Sequence, residues 1–97
     1  MSIKEKSIVI LGCFDTKGED FSYLFKCIKA KGLKVISVNT GVMQSTVNFT
    51  VDIDNAEVAE ASNTSLKAIR NSGDRGKAVD LMGKGAAKIL KTLVAQN

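Results

Sequence analysis

Apolar residues are concentrated in two short stretches in the first part of the chain. Residues 8–11 read Ile-Val-Ile-Leu and are closed by Gly12, and residues 35–38 read Val-Ile-Ser-Val and lead into Asn39. An apolar run without strict alternation is typical of a strand that is covered on both faces, as in a parallel sheet. The two runs therefore predict two buried parallel strands.

The segment between these strands has the spacing of an amphipathic helix. Its apolar residues recur at helical intervals and its lysines fall on the opposite side; the apolar positions are Phe21, Leu24, Phe25 and Ile28. Gly32 follows a last turn rich in Lys, which is typical of a left-handed cap at a helix C-terminus. Strand, helix and strand together predict a βαβ unit with a right-handed crossover.

The periodicity changes after residue 46, because apolar and polar residues alternate from Val47 to Ile53. Alternation leaves one face in water, so this stretch predicts an edge strand or an extended segment along the sheet. Asp54 and Glu57 then have the spacing of a capping box, which predicts a short helix to about Ala61.

The remaining residues predict two further helices. A short helical piece is expected over residues 66–70 and a turn over residues 71–73, after which Asp74 is placed to cap a long helix from Arg75 to about Ala95.

The long helix carries an apolar stripe that needs a hydrophobic partner. Its members are Val79, Met82, Ala86, Ile89, Leu90 and Leu93. Gly83 and Gly85 interrupt this helix, and each costs roughly 1 kcal/mol relative to Ala. We therefore expect both glycines to pack closely against a backbone or another helix.

This order of elements predicts an α/β fold with an open, parallel, doubly wound, Rossmann-like sheet and a long C-terminal helix. The chain has 97 residues, which suffice for one small domain. A long helix in a βαβ-type chain normally leads into another parallel strand. We therefore expect a truncated sheet, with residues 1–97 forming part of a larger domain.

Composition excludes several kinds of site. The chain contains no His, so a Ser/His or Cys/His nucleophile pair and a His-ligated metal site are excluded. The net charge of +4 is modest, and no aromatic residues are interleaved with the bases of the last third to form a stacking platform. We therefore expect solvated lysines there and no nucleic-acid partner.

The sequence shows neither a signal peptide nor a membrane span. This predicts a cytoplasmic protein with no membrane partner. In a reducing compartment its two cysteines, Cys13 and Cys27, should be free thiols.

The strongest signal for a ligand lies between the first strand and the first helix, in the stretch Gly12-Cys13-Phe14-Asp15-Thr16-Lys17-Gly18. In open α/β sheets, ligands bind outside the carboxyl ends of strands, where a helix N-terminus offers free N–H groups. Lys17 adds a positive charge and Thr16 a hydroxyl, which suit a phosphate. The spacing matches neither a Walker A nor a Rossmann motif. The alternative is that Asp15 or Thr16 only caps the helix.

Two other loops are candidates for the same site. Asn39-Thr40-Gly41-Val42 closes the second strand, where short polar side chains could hold a ribose or a base edge; the alternative is an Asx turn. Arg75, at the start of the last helix, could clamp a phosphate or carboxylate; the alternative is a solvated side chain.

Two residues of the opening loop have weaker claims to chemistry. A helix N-terminus lowers the pKa of thiols in general, which makes Cys13 a candidate reactive thiol, although a small buried hydrophobe is the expected role. Asp15 is a candidate general base or metal ligand, but a lone carboxylate does not define a reaction.

Several short sequence motifs follow one another along the chain in an order that is typical of a known family. They are ILGCFDTKGE at residues 10–19, GV at 41–42, VDI at 51–53, EVA at 57–59, GDRG at 73–76, and Met82 with GAA at 85–87. Together they resemble the N-terminal ATP-binding domain of the plant tobamovirus-resistance protein and its bacterial relatives. Members of that family look like two-domain proteins, in which a nucleotide-binding α/β domain precedes a domain resembling a TIM-barrel hydrolase. The chain would cover the first half of the N-terminal domain.

This resemblance implies a nucleotide ligand, ATP, with Mg²⁺ as a further candidate, and no catalytic residue in this chain. The site residues implied by similarity are Gly12, Phe14, Asp15, Thr16, Lys17 and Arg75. Gly18, Asn39 and Thr40 join them because of their loop positions. The missing remainder of the parent protein is an expected partner. The alternative function is an interaction module that forms homo-oligomers through its sheet edge and its apolar helix stripe.

Overall fold

The computed structural model describes residues 7–96, in which strands and helices follow the predicted order. The elements are β1 (Ser7–Gly12), α1 (Gly18–Ala30), β2 (Lys34–Asn39), α2 (Asn55–Ala61), α3 (Leu66–Ser72) and α4 (Arg75–Gln96). Gly32, just after α1, has the expected left-handed conformation with φ of 74°. The prediction of the α/β order is confirmed.

The strands β1 and β2 form a parallel pair, in register from Ser7 opposite Lys34 to Gly12 opposite Asn39. The alternating stretch that follows runs along the other edge of β2 but forms only an isolated parallel bridge, between Val38 and Ile53. It is therefore an extended segment, the second of the two predicted forms.

One face of the sheet is covered by α1 and an aromatic cluster. The Phe21 ring lies over Gly12, where a Cβ atom would collide with it. Phe14 is fully buried, and its ring centroid lies 5.0 Å from that of Phe21 and 5.4 Å from that of Phe49. Phe49 also stacks on Phe25 at 4.3 Å. Packing of these rings holds both α1 and the extended segment against the sheet.

The opposite face carries the aliphatic core. Side chains alternate between faces along a strand, and Val38 belongs to a buried cluster with residues of α2, α3 and α4. The cluster consists of Val38, Val58, Ala59, Ile69, Ala78, Met82 and Ala86. Helices therefore cover both faces of the parallel sheet, as predicted.

The first strand is covered less completely than its apolar run predicts. Ile8 is 39% exposed and Leu11 is 37% exposed, because β1 pairs with β2 on one edge and the described residues place no strand on its other edge.

Three details of the last two helices also differ from the prediction. Residues 71 and 72 continue α3, and only Gly73 turns, with φ of 65°. Val79 is 69% exposed, whereas its neighbour Ala78 is buried. A Cβ atom at Gly85 would collide with the Val58 carbonyl oxygen of α2, but one at Gly83 meets nothing within 4 Å. Close packing is therefore confirmed for Gly85 and wrong for Gly83.

Two predicted N-cap residues are confirmed. Asp74 Oδ1 accepts a hydrogen bond from Lys77 N at 3.0 Å, so it caps α4. Asp54 is the N-cap of α2, and its side chain accepts from Asn55 N. The predicted capping box with Glu57 is not formed, because Glu57 N donates to the Asp54 backbone carbonyl oxygen and the Glu57 side chain has no hydrogen bond within the described residues. None of the helices in the described part of the chain is both long enough and apolar enough to cross a membrane.

Candidate functional site

Three loops that are far apart in sequence surround one cleft of about 570 Å³. The first loop (residues 13–17) contributes Cys13, Asp15 and Thr16, and the second loop (residues 40–46) contributes residues 40–43. The α3–α4 junction supplies Arg70 and residues 73–75. Ligand pockets commonly have volumes of roughly 300–1,000 Å³. The cleft is therefore large enough for a small molecule.

The parallel pairing explains why the first two loops meet. Gly12 lies opposite Asn39 at the carboxyl ends of β1 and β2, and Thr40 N donates to the Gly12 carbonyl oxygen at 2.8 Å. Both chains therefore leave the sheet at one edge. This is the edge at which open α/β sheets bind ligands.

Asn39 lies behind the cleft and stabilises the loops that form it. Its side chain is fully buried; Oδ1 accepts from Phe14 N at 3.1 Å and from Gly41 N at 2.9 Å. Its Nδ2 donates to Asp54 Oδ1 at 3.0 Å. The bond to Gly41 is the Asx turn that was the alternative for this position. Asn39 thus joins the end of β2 to the first loop and to the start of α2.

Asp15 ties the two loops together. Its Oδ1 accepts from Thr16 N at 2.7 Å and its Oδ2 from Met43 N at 3.0 Å. A Cβ atom at Gly41 would lie 2.6 Å from Asp15 Oδ1, so only glycine leaves room for this carboxylate. The alternative, that Asp15 or Thr16 caps α1, is wrong, because the N-cap is Lys17 and no side chain caps that helix start.

The start of α1 is covered by the second loop. Thr46 N and Oγ1 both donate to the Phe14 carbonyl oxygen, at 2.9 and 3.1 Å. Gly18 is buried against Thr46, and a Cβ atom there would collide with Thr46 Oγ1. Lys17 is exposed, and the described residues that line the cleft do not include it.

Two arginines line the cleft at the α3–α4 junction. Arg70 Nε donates to the Val42 carbonyl oxygen at 2.7 Å, across the cleft wall. Arg75 begins α4 and is exposed. Within the described residues, neither guanidinium is paired with a carboxylate. Sequence analysis did not identify Arg70 as a site residue. Its place in the cleft depends on the folded structure, which brings the α3–α4 junction next to Val42.

Cys13 faces this cleft and is exposed, which corrects the expectation of a buried hydrophobe. Its Sγ lies 3.9 Å from Thr40 Oγ1. Both Cys13 and Cys27 are free, as predicted.

The cleft has two carboxylates, Asp15 and Asp74. In the described part of the chain, no group of three or more Cys, Asp or Glu residues could hold a metal ion by itself. Mg²⁺ at nucleotide sites is usually held by one or two carboxylates together with phosphate oxygens and water. Asp74 is the side chain that could take that part here, because both oxygens of Asp15 already accept backbone N–H groups.

The predicted site residues fall into three groups. Those that line the cleft are Asp15, Thr16, Thr40 and Arg75. Those that lie behind it and shape it are Gly12, Phe14, Gly18 and Asn39. Lys17 is outside the lining. The structure therefore joins four of the predicted residues in one cleft and gives four others a supporting position.

Comparison with known proteins identifies the family. Residues 6–97 match a family described as the uncharacterised protein family UPF0261, N-terminal domain. The UPF0261 protein of Clostridium tetani (strain Massachusetts / E88) is 39% identical over 88 residues, which are 91% of this chain and 22% of that protein. A UPF0261 protein of Rhizobium meliloti (strain 1021) is 36% identical over 85 residues, 88% of this chain and 21% of that protein.

The chain spans about a fifth of the length of these curated relatives. No solved structure matches it. The expected similarity to bacterial proteins is confirmed. The similarity to a plant protein and the binding of ATP stay predictions. The chain belongs to the UPF0261 family, whose N-terminal domain it matches.

Proposed function

We propose that the cleft binds a nucleotide, ATP, and that the chain acts as part of the N-terminal domain of a larger protein without a catalytic residue of its own. The observation that carries this proposal is the convergence of three candidate loops on one cleft at the carboxyl ends of two parallel strands. This is the place where open α/β sheets bind nucleotides.

The chemistry of the lining supports the same proposal. Arg70 and Arg75 are suited to phosphate oxygens because a guanidinium offers a fork of N–H donors. Thr16 and Thr40 offer hydroxyl groups, and Val42 offers an apolar surface for a base. ATP itself comes from the sequence resemblance, to which the cleft adds a matching size.

Cys13 provides a direct test, because its thiol lies in the cleft and is exposed. In a Cys27→Ala variant, the rate of Cys13 alkylation by a maleimide is measured with and without ATP. We expect ATP to slow the reaction at least several-fold by covering the thiol. A Cys13→Ala variant is the matched control: its remaining thiol, Cys27, lies on α1 and should react at the same rate with or without ATP. Unchanged Cys13 labelling at millimolar ATP, with no heat of binding in calorimetry, would contradict the proposal.

A second candidate function, self-association, is favoured by a different observation. The outer edge of β1 has no partner strand within the described residues, and it carries the exposed side chains Ile8 and Leu11. Unpaired strand edges with apolar side chains tend to pair with other chains. Sedimentation velocity over a range of protein concentrations should then show a monomer–dimer equilibrium. A concentration-independent monomer that binds no apolar dye would remove this candidate.

A further inference from the structure

Positive charge is concentrated at one end of the cleft. Arg70 lies in the last turn of α3 and Arg75 in the first turn of α4, on either side of the turn at Gly73. Asp74 lies at the same end, where its Oδ1 accepts from Lys77 N. With two arginines and one carboxylate, this end carries one net positive charge.

Arg70 is held in place at this end without using up its donors. Its Nε donates to the Val42 carbonyl oxygen at 2.7 Å. A guanidinium has five N–H donors, and the other four meet no acceptor among the described residues. Arg75 likewise has no hydrogen-bond partner in the described part of the chain. Both side chains therefore keep donors for an anion.

The side of the cleft that the first loop and Thr40 form does not favour an anion. It is formed by Cys13, Thr16, Thr40 and Asp15, of which the first three are neutral groups. Asp15 is a carboxylate whose two oxygens already accept backbone N–H groups. A phosphate placed there would face this carboxylate. Lys17, the cation of the first loop, does not line the cleft.

We infer that the ligand lies across the cleft in one direction, with its di- or triphosphate group between Arg70 and Arg75 and its uncharged nucleoside toward Thr16 and Thr40. The nucleoside half of this inference rests on the proposed function, while the anion half rests on the two arginines alone. The inference moves the phosphate site from Lys17 to the α3–α4 junction.

Calorimetry with ATP and with inorganic tripolyphosphate tests this orientation. The variants are Arg70→Gln and Arg75→Gln, with Lys17→Gln as the matched loss of one exposed charge outside the cleft. A hydrogen bond to a charged group contributes about 1.5–3 kcal/mol, which corresponds to about a ten- to hundredfold change in affinity. We expect each arginine variant to weaken both ligands by that factor. Lys17→Gln should change neither by more than about twofold.

Adenosine supplies the uncharged arm of the experiment. Its binding is measured by protection of Cys13 from a maleimide in the Cys27→Ala background. We expect the arginine substitutions to leave this protection unchanged, because the nucleoside lies toward Thr16 and Thr40 and has no charge for the guanidinium groups to bind. Because Arg70→Gln also removes the bond to Val42, circular dichroism checks its fold. Arg75→Gln removes no hydrogen bond or ion pair within the described residues and decides the test if Arg70→Gln unfolds.

The possible results separate the two proposals. If Lys17→Gln weakens tripolyphosphate binding and Arg75→Gln does not, the orientation is wrong although nucleotide binding stands. If tripolyphosphate binds with the expected dependence on arginine but ATP binds no more tightly and adenosine gives no protection, the anion site stands and the nucleotide function fails. If the unsubstituted protein binds neither anion, both are overturned.

Discussion

Asn39 shows how much one buried polar side chain can contribute to the shape of the cleft. Its amide group makes three hydrogen bonds, to Phe14 N, Gly41 N and Asp54 Oδ1. The sequence predicts the bond to Gly41, because an Asx turn is a local structure. It does not predict the other two, because they join segments that only the folded sheet brings together.

Replacing Asn39 with Ala should therefore destabilise the protein strongly. The change leaves Phe14 N and Gly41 N without their acceptor, and an unsatisfied buried group costs about 1–3 kcal/mol. We expect the free energy of unfolding, measured by urea denaturation, to fall by about 2–4 kcal/mol. The matched control is Asn71→Ala on the exposed surface of α3, which should stay within about 0.5 kcal/mol of the unsubstituted protein. Equal effects of the two substitutions would contradict this role for Asn39.

Asp15 illustrates where prediction from residue type stops. The sequence shows a carboxylate just before a helix, and capping is the ordinary role of such a residue. In the structure its oxygens accept from Thr16 N and Met43 N instead. The second of these acceptor contacts depends on the path of the second loop, which has no periodic pattern from which it could be predicted.

At the scale of elements, hydrophobic periodicity predicts which segments are strands and helices but not how closely they approach. The α4 stripe predicted from the spacing of apolar residues includes Val79, which is exposed, and omits Ala78 and Gly85, which are buried. At Gly85 the reason is that the Val58 carbonyl oxygen of α2 lies where a Cβ atom would be. Similarly, the apolar run of β1 indicates a strand, but it does not tell which of its edges has a neighbour.

The two glycines in the middle of α4 give an internal comparison of these effects. A Cβ atom at Gly85 would collide with the Val58 carbonyl oxygen, whereas one at Gly83 would meet open space. Gly83→Ala should raise the free energy of unfolding by about 0.5–1 kcal/mol, because Ala favours a helix. Gly85→Ala should lower it by about 1–3 kcal/mol, because α2 and α4 must separate.

Thermal and urea unfolding of these two variants measure the difference, and the identical chemical change makes each the control for the other. If both variants gain stability, then α2 does not pack against α4 at Gly85. If both lose stability, the surroundings of Gly83 are not open.

At the scale of the whole molecule, the sequence predicts where the cleft lies better than it predicts which side chains line it. The edge of the sheet is predictable because parallel strands joined by a helix have their carboxyl ends on the same side. Arg75 is found from its place at a helix start. Sequence analysis does not identify Arg70 and wrongly expects Lys17 to line the cleft. The positions of both side chains depend on how α3 and the second loop fold over the sheet.

The hydrogen bonds of the second loop have a consequence for its dynamics. Although residues 40–46 form no helix or strand, Met43 N donates to Asp15 Oδ2 and Thr46 N to the Phe14 carbonyl oxygen. The amides of Gln44 and Ser45, between them, have no acceptor among the described residues. In deuterium oxide, NMR should therefore find slow exchange at positions 43 and 46 and fast exchange at positions 44 and 45. Uniformly fast exchange would mean that the loop detaches as a unit. The alternating pattern would mean that the loop stays in place, so that solvent and small solutes enter the cleft by diffusing past it.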